Sequence, residues 1–248
     1  MVRGLERAKE IFLSRMAILA YYDAMRRAAL FALALFTLVA PLRLAAAEPN
    51  HDFAHWESEI KAFEASDRTN PPPRHCLLFT GSSTIRKWTT LARDFPGQPV
   101  VNRGVGGSEV VDITHFADRI VFPYEPKMIF FRCGGNDIAA GKSPEQVFAD
   151  FKEFVAVIRA KLPETEIVFM SWSQTIARLK QKDKEATYNR LVKAFVAEHP
   201  HMQYCDMDDV PLDKNGQVRP ELFQSDQLHF NAAGNKLMAE RVRPFLPK

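Results

Sequence analysis

Five short apolar runs recur along the chain, at residues 75–80, 98–102, 127–133, 166–171 and 202–206. Each is long enough for a buried strand and too short for a core helix. Between them, apolar positions return every three to four residues, which predicts helices over 52–67, 109–120, 144–161, 180–198 and 231–243. The first of these carries Phe53, Trp56, Ile60 and Phe63 on one face and stops at Asn70-Pro71-Pro72-Pro73. Ser143-Pro144-Glu145-Gln146 has the form of an N-cap, a proline at the first helical position and a glutamine that reaches back to the cap. Val147, Phe148, Phe151, Phe154, Val155 and Ile158 then form one apolar face, and Pro163 marks the end. Asn231 is placed to cap the last helix. Strands that alternate with helices predict a parallel sheet covered on both faces, with right-handed crossovers. No internal repeat or low-complexity stretch interrupts the alternation, and 248 residues suffice for one sizeable core.

The first 47 residues follow a different pattern. Arg26-Arg27 precedes an apolar run from Ala28 to Ala40, followed by Pro41 and by Ala45-Ala46-Ala47 ahead of Glu48. A basic start, a short apolar centre and a small-residue exit are the three parts of a secretory signal. The expectation is cleavage after Ala47 and an exported protein, periplasmic or secreted, with Met25 as a more compact start than Met1. The competing reading is an uncleaved membrane anchor, although the run is shorter than the roughly 20 residues a span needs. On this reading residues 48–74 form an N-terminal helix and linker, and residues 75–248 form the main domain.

This division changes the charge balance. The whole chain holds 33 Lys and Arg against 30 Asp and Glu, a net charge of +3. Residues 1–47 contain seven of the basic and three of the acidic residues, so the remainder carries −1. The excess basicity belongs to the first segment and gives no support for a nucleic-acid partner. Cys76, Cys133 and Cys205 match no zinc spacing, and each falls in or beside a strand, where a buried free thiol is expected. An exported protein could pair two of them, with the choice of pair left open.

Four polar segments fall at strand ends or in late loops. They are Gly81-Ser82-Ser83, Asn102-Arg103-Gly104-Val105-Gly106-Gly107-Ser108, Gly134-Gly135-Asn136-Asp137 and Asp226-Gln227-Leu228-His229. Ligands of open α/β sheets bind at the carboxyl ends of strands. A serine hydroxyl needs a base to act as a nucleophile, and His229 is a suitable one. Asp226, three residues earlier, is close enough to orient the imidazole. Gly107 N–H, Ser83 N–H and the Asn136 amide are candidate donors to an oxyanion. Each segment alone also reads as an ordinary turn. A dinucleotide fingerprint is excluded because Glu109 stands where its last glycine is required. His51 and His55 have helical metal-pair spacing, but no third ligand accompanies them. Asp206, Asp208 and Asp209 read as a solvated turn, since their spacing fits no calcium loop.

In order and spacing, the four segments resemble the SGNH hydrolase superfamily, the GDSL-type esterases and lipases. The resemblance covers about residues 75–243. It implies a flavodoxin-like three-layer α/β/α sandwich with a five-stranded parallel sheet. It also implies catalysis by Ser83, Asp226 and His229, an oxyanion hole of Ser83, Gly107 and Asn136, and neither metal nor organic cofactor. Three residues depart from the family pattern: Ser82 for the aspartate of Gly-Asp-Ser, Ser108 where an acidic residue often follows the oxyanion glycine, and Phe230 after the histidine. The Ser82 change leaves either serine open as nucleophile from the residues alone, and the register of the block selects Ser83.

The function expected from this resemblance is hydrolysis of a short-chain or acetyl ester through an acyl-serine. The alternatives are a non-catalytic ligand-binding domain on the same fold and an acyltransferase to a sugar or lipid. The expected partner is a small-molecule, carbohydrate or lipid ester, with membrane contact only through an uncleaved first segment. Trp88 and Trp172 follow strands and are candidates for the pocket rim or for the core. Arg86, Arg103 and Arg132 lie near the motifs, either to meet an anionic substrate or to form structural salt bridges.

Overall fold

A computed structural model describes residues 51–247. The proposed signal segment, its cut after Ala47 and the Met25 start lie outside the described residues. Five parallel strands form one sheet: β1 (Leu77–Gly81), β2 (Val100–Gly104), β3 (Met128–Arg132), β4 (Glu166–Met170) and β5 (Met202–Cys205). Their order is β2-β1-β3-β4-β5, the flavodoxin-like order anticipated. The helices are α1 (Glu57–Thr69), α2 (Ser83–Arg86), α3 (Leu91–Asp94), α4 (Val110–His115), α5 (Ala117–Ile120), α6 (Gly135–Ala139), α7 (Pro144–Lys161), α8 (Lys182–Ala197) and α9 (Ala232–Val242). Among the described residues no helix is long and apolar enough to cross a membrane.

Strand alternation divides the interior in two. Leu78, Ile129, Phe131, Ile167 and Phe169 face one way and pack with residues of α1, α4, α5, α7 and α8. Leu77, Phe79, Met128, Phe130, Val168 and Met170 face the other way and pack with residues of α2, α3 and α9. Both faces of β1 and β3 are buried, which is why these strands read as unbroken apolar runs. The expected three-layer α/β/α sandwich is therefore the observed fold.

The local signals act as the sequence implied. Ser143 Oγ accepts from Gln146 N at 3.3 Å, and Gln146 Oε1 accepts from Ser143 N at 2.8 Å. Asn231 Oδ1 accepts from Ala233 N and Gly234 N. The expected 109–120 helix is instead two short helices meeting at Phe116. The stretch before α8 is a 3-10 turn, Ile176–Gln181, with a kink at Arg178. Cys76, Cys133 and Cys205 are all buried and free. Burial pushes the Cys76 thiol up to about 11 and Cys205 to about 12, so both stay protonated at neutral pH.

The strand order, not the strand direction, reverses between β1 and β3, and such a switch point leaves a crevice beyond the carboxyl ends of the two strands. Gly81 closes β1 with φ +127°, and a Cβ there would stand 2.1 Å from the Arg132 carbonyl oxygen of β3. Only glycine accepts both the left-handed backbone and that approach. Gly81→Ala is expected to cost at least about 3 kcal/mol, combining backbone strain with a backbone clash. Urea denaturation measures it, and an unchanged midpoint would mean that the strand ends separate freely.

Candidate active site

The β1–β3 crevice collects all four polar segments. At the end of β1, Ser82 N donates to Arg132 O at 3.0 Å, and Ser82 O accepts from Ile85 N and Arg86 N. These bonds start α2 with Ser83 as its first residue. The two serines separate here. The Ser82 side chain is buried, and its Oγ has no partner among the described residues. Ser83 Oγ lies 2.8 Å from His229 Nε2.

The histidine is held by its own turn. Asp226 Oδ1 accepts from the backbone N–H groups of Leu228 and His229, both at 3.0 Å. Gln227 takes positive φ to close the turn. Asp226 Oδ2 is then 2.7 Å from His229 Nδ1. Burial alone would raise the Asp226 carboxyl. Bonds from the His229 backbone and ring, the Leu228 N–H and Lys87 outweigh it and hold the group well below the usual carboxylate range. Phe230, one of the departures, is buried and stacks on Phe223 across an antiparallel bridge that fixes the base of this turn.

After β2, the glycine loop is stitched on both sides. Val105 N donates to Gly81 O at 2.8 Å. Gly106 O accepts from Trp56 Nε1 at 2.7 Å and Gly106 N donates to Glu59 Oε2 at 3.3 Å, so the N-terminal helix region braces this loop. Gly107 follows with φ +77°. Neither Gly107 N nor Ser83 N has an acceptor among the described residues. Ser108, another departure, is buried, and its Oγ donates to Val105 O at 3.0 Å.

Beyond β3, Asn136 lies in α6. Its Nδ2 donates to Ser108 O at 2.9 Å, which leaves the second Nδ2 hydrogen available. Its Oδ1 accepts from Arg178 Nη2 at 2.8 Å. The adjacent Asp137 is buried and accepts from Val110 N at 3.1 Å, tying α6 to the start of α4. Burial pushes the Asp137 carboxyl up to about 7 against the pull of Lys142.

The structure thus places Ser83, Asp226 and His229 in one hydrogen-bonded chain and brings Asn136 to the loop that carries Gly107. It corrects the rim expectation for both tryptophans. Trp88 is 1% exposed, packs on Phe79 and Phe95, and donates to Asp94 Oδ2 at 2.7 Å. Trp172 is 5% exposed, with its ring against Gly135 and its Nε1 donating to Cys133 O at 3.0 Å. Both belong to the core. Arg86 pairs with Glu59, and Arg103 pairs with Asp67. Arg132 is fully buried, donates to Ser171 O and Ser173 Oγ, and lies over the Trp172 ring, so it and the largely buried Arg103 are structural, while Arg86 stays exposed in its pair with Glu59. His51 Nε2 meets Asp112 at 2.6 Å. Asp206 and Asp209 pair with Lys193 and Arg241, and the exposed Asp208 accepts from Ser171 Oγ and Asn189 Nδ2, so the three lie in an exposed to half-buried turn.

Two charged groups beside the site left no signal in the sequence. Lys87 Nζ lies 3.2 Å from Asp226 Oδ2 and 3.0 Å from His229 Nδ1. Arg178 holds Asn136 as described above.

A parallel α/β sandwich with a serine–histidine–aspartate chain at its switch point defines a recognisable class. The model of the GDSL-like Lipase/Acylhydrolase family matches residues 74–237, and the chain belongs to that family. Its members are GDSL/SGNH-type hydrolases that act on ester bonds. Among curated proteins no sequence matches the chain. Solved structures similar to it include a Streptococcus pneumonia protein provisionally named a platelet activating factor, at 18% identity and TM-score 0.70, with 78% of this chain and 94% of that one covered. Another is a GDSL-like lipase from Bacteroides thetaiotaomicron, at 15% identity and TM-score 0.63, with coverage of 76% and 97%. A third is an acetylxylan esterase from Geobacillus stearothermophilus, at 15% identity and TM-score 0.57, with coverage of 71% and 96%. At these identities the likeness is one of fold.

Proposed function

We propose that this protein is a serine esterase that hydrolyses short acyl esters through an acyl-enzyme on Ser83. The observation that carries the reading is the continuous chain from Ser83 Oγ through the two ring nitrogens of His229 to Asp226. Ser83 Oγ attacks the ester carbonyl carbon while His229 Nε2 takes its proton. Negative charge gathers on the former carbonyl oxygen, facing the N–H groups of Ser83 and Gly107 and the remaining Asn136 Nδ2 hydrogen. Donors fixed before the reaction need no reorganisation as that charge develops. The intermediate collapses with loss of the alcohol, which His229 protonates. Water, deprotonated by His229, then attacks the acyl-serine, and the acid leaves as His229 returns that proton to Ser83 Oγ. No step calls on a metal, and among the described residues no cluster of three or more His, Cys, Asp or Glu side chains is arranged to hold one.

A short acyl group, acetyl above all, is the substrate class proposed, carried on a carbohydrate or lipid alcohol. The acetylxylan esterase on the same fold supports a sugar acetate. The basic, apolar and small-residue sequence of positions 26–47 supports export. The test uses a fluorophosphonate probe and nitrophenyl esters of acetyl, butyryl and long chains, followed by acetylated sugars. The expected result is labelling at Ser83 and turnover that falls as the acyl chain lengthens. A folded protein that neither labels nor turns over would be a ligand-binding domain. Acyl product found on an added alcohol in place of free acid would make it a transferase.

A further inference from the structure

We infer that Arg178 is a positioning residue for the oxyanion donor Asn136, fixing which way its amide faces and adding positive charge behind it. The inference rests on the esterase reading above and assigns a role to a group outside the four sequence segments.

An asparagine amide is nearly symmetric in shape, so its environment decides which end points where. Around Asn136 that environment is asymmetric. Ser108 O accepts from Nδ2 at 2.9 Å, and the Arg178 guanidinium donates to Oδ1 at 2.8 Å. A flipped amide would set N–H against guanidinium N–H and oxygen against the Ser108 carbonyl. Both contacts would be repulsive, and the crevice would face an acceptor where a donor is needed. Ser108 alone fixes one end. Arg178 fixes the other and makes the bond charge-assisted, which strengthens it and polarises the remaining N–H.

Arg178 is in no close ion pair among the described residues. The side chain is half-buried. Burial lowers its pKa, opposed by the more distant Glu185. Glu185 is itself buried, with its carboxyl raised by that burial to about 7. A half-buried guanidinium whose one hydrogen-bonded partner among the described residues is a neutral amide has charge available to an anion that forms beside that amide. The anion that forms beside Asn136 is the oxyanion, and it exists only in the transition state and the tetrahedral intermediate. Stabilisation confined to those states raises kcat and leaves KM unchanged.

The backbone is built to deliver the side chain there. Arg178 interrupts the 3-10 turn with φ −124° and ψ 23°. The residue before it, Ala177, donates its N–H to Gln227 O at 3.1 Å. Gln227 sits between Asp226 and His229, so the segment that carries Arg178 is fastened to the turn that carries the base.

The test measures kcat and KM on a neutral ester, nitrophenyl acetate, for wild type, R178M, R178K, N136A and R178M/N136A, with thermal melting of each. R178M is expected to lower kcat by about 10- to 50-fold, less than the 10²–10³ typical for loss of an oxyanion donor itself, with KM within about twofold. R178K keeps charge and a donor and recovers part of that loss. In the N136A background the same R178M change costs less than about threefold, because the residue it acts through is gone. Equal losses in both backgrounds, or a change confined to KM, would overturn the inference, the second by making Arg178 a substrate-binding group. If R178M fails to melt cooperatively, R178K and N136A decide: full wild-type kcat in R178K together with wild-type kcat in N136A refutes the role. A wild-type protein without turnover or Ser83 labelling would refute the esterase reading and the inference with it. Turnover in wild type that R178M leaves untouched refutes the inference alone.

Discussion

Ser83→Ala is expected to abolish ester hydrolysis, with kcat falling by about a millionfold. That is a loss of roughly 8 kcal/mol of transition-state stabilisation. The residual rate would reflect binding and the oxyanion donors, which the substitution leaves in place. Ser82→Ala is the matched control, because the two side chains differ in placement and not in chemistry. Ser82 Oγ is buried without a hydrogen-bond partner among the described residues, whereas Ser83 Oγ is 2.8 Å from the imidazole. Removing an unpartnered buried hydroxyl relieves a desolvation cost, so Ser82→Ala keeps kcat within about threefold and holds or raises the melting temperature. Initial rates on nitrophenyl acetate, fluorophosphonate labelling and thermal melting give the comparison. Loss of labelling in Ser82→Ala with labelling kept in Ser83→Ala would exchange the roles of the two serines.

The sheet was legible because its physics is local to each strand. A strand covered on both faces must be apolar at successive positions, and β1 and β3 are buried at all five residues. The caps at Ser143 and Asn231 were legible for the same reason, since each bond spans two or three residues. The four polar segments could be placed because glycines and hydroxyls cannot extend an apolar run. What the sequence concealed depends on distant partners. Trp88 and Trp172 stand just beyond strands, where a rim and a core position look alike. Their burial is decided by Phe79, Phe95 and Gly135, on other elements or several residues away. Lys87 reaches Asp226 across 139 residues, and Arg178 reaches Asn136 across 42. No periodicity or spacing encodes such pairs.

Asp226→Asn is expected to lower kcat by about 10⁴, the cost of presenting the imidazole in the wrong tautomer. For Nε2 to take the Ser83 proton, Nδ1 must keep its own proton and donate it. Asp226 Oδ2, 2.7 Å away, accepts that bond. Lys87 Nζ, 3.0 Å from the same nitrogen, has only donors to offer. An ammonium that donates to Nδ1 requires a lone pair there and moves the ring proton to Nε2, where it blocks the reaction. In the wild type the carboxylate wins, because its charge attracts both the ring N–H and the lysine, which it meets at 3.2 Å. Without that charge the lysine bond selects the inactive tautomer. A second substitution, Lys87→Met, should therefore restore activity in the Asp226→Asn background. A charge-assisted bond contributes about 1.5 kcal/mol or more, so the gain should be at least about tenfold. In the wild-type background Lys87→Met should change kcat by less than about threefold, since the lysine is more than a third exposed and its pairing is screened. The measurement is kcat for the four proteins of the cycle, with thermal melting to confirm that each folds. A Lys87→Met effect of the same sign and size in both backgrounds would show that the lysine does not compete for Nδ1, and that Asp226 acts on His229 by geometry alone.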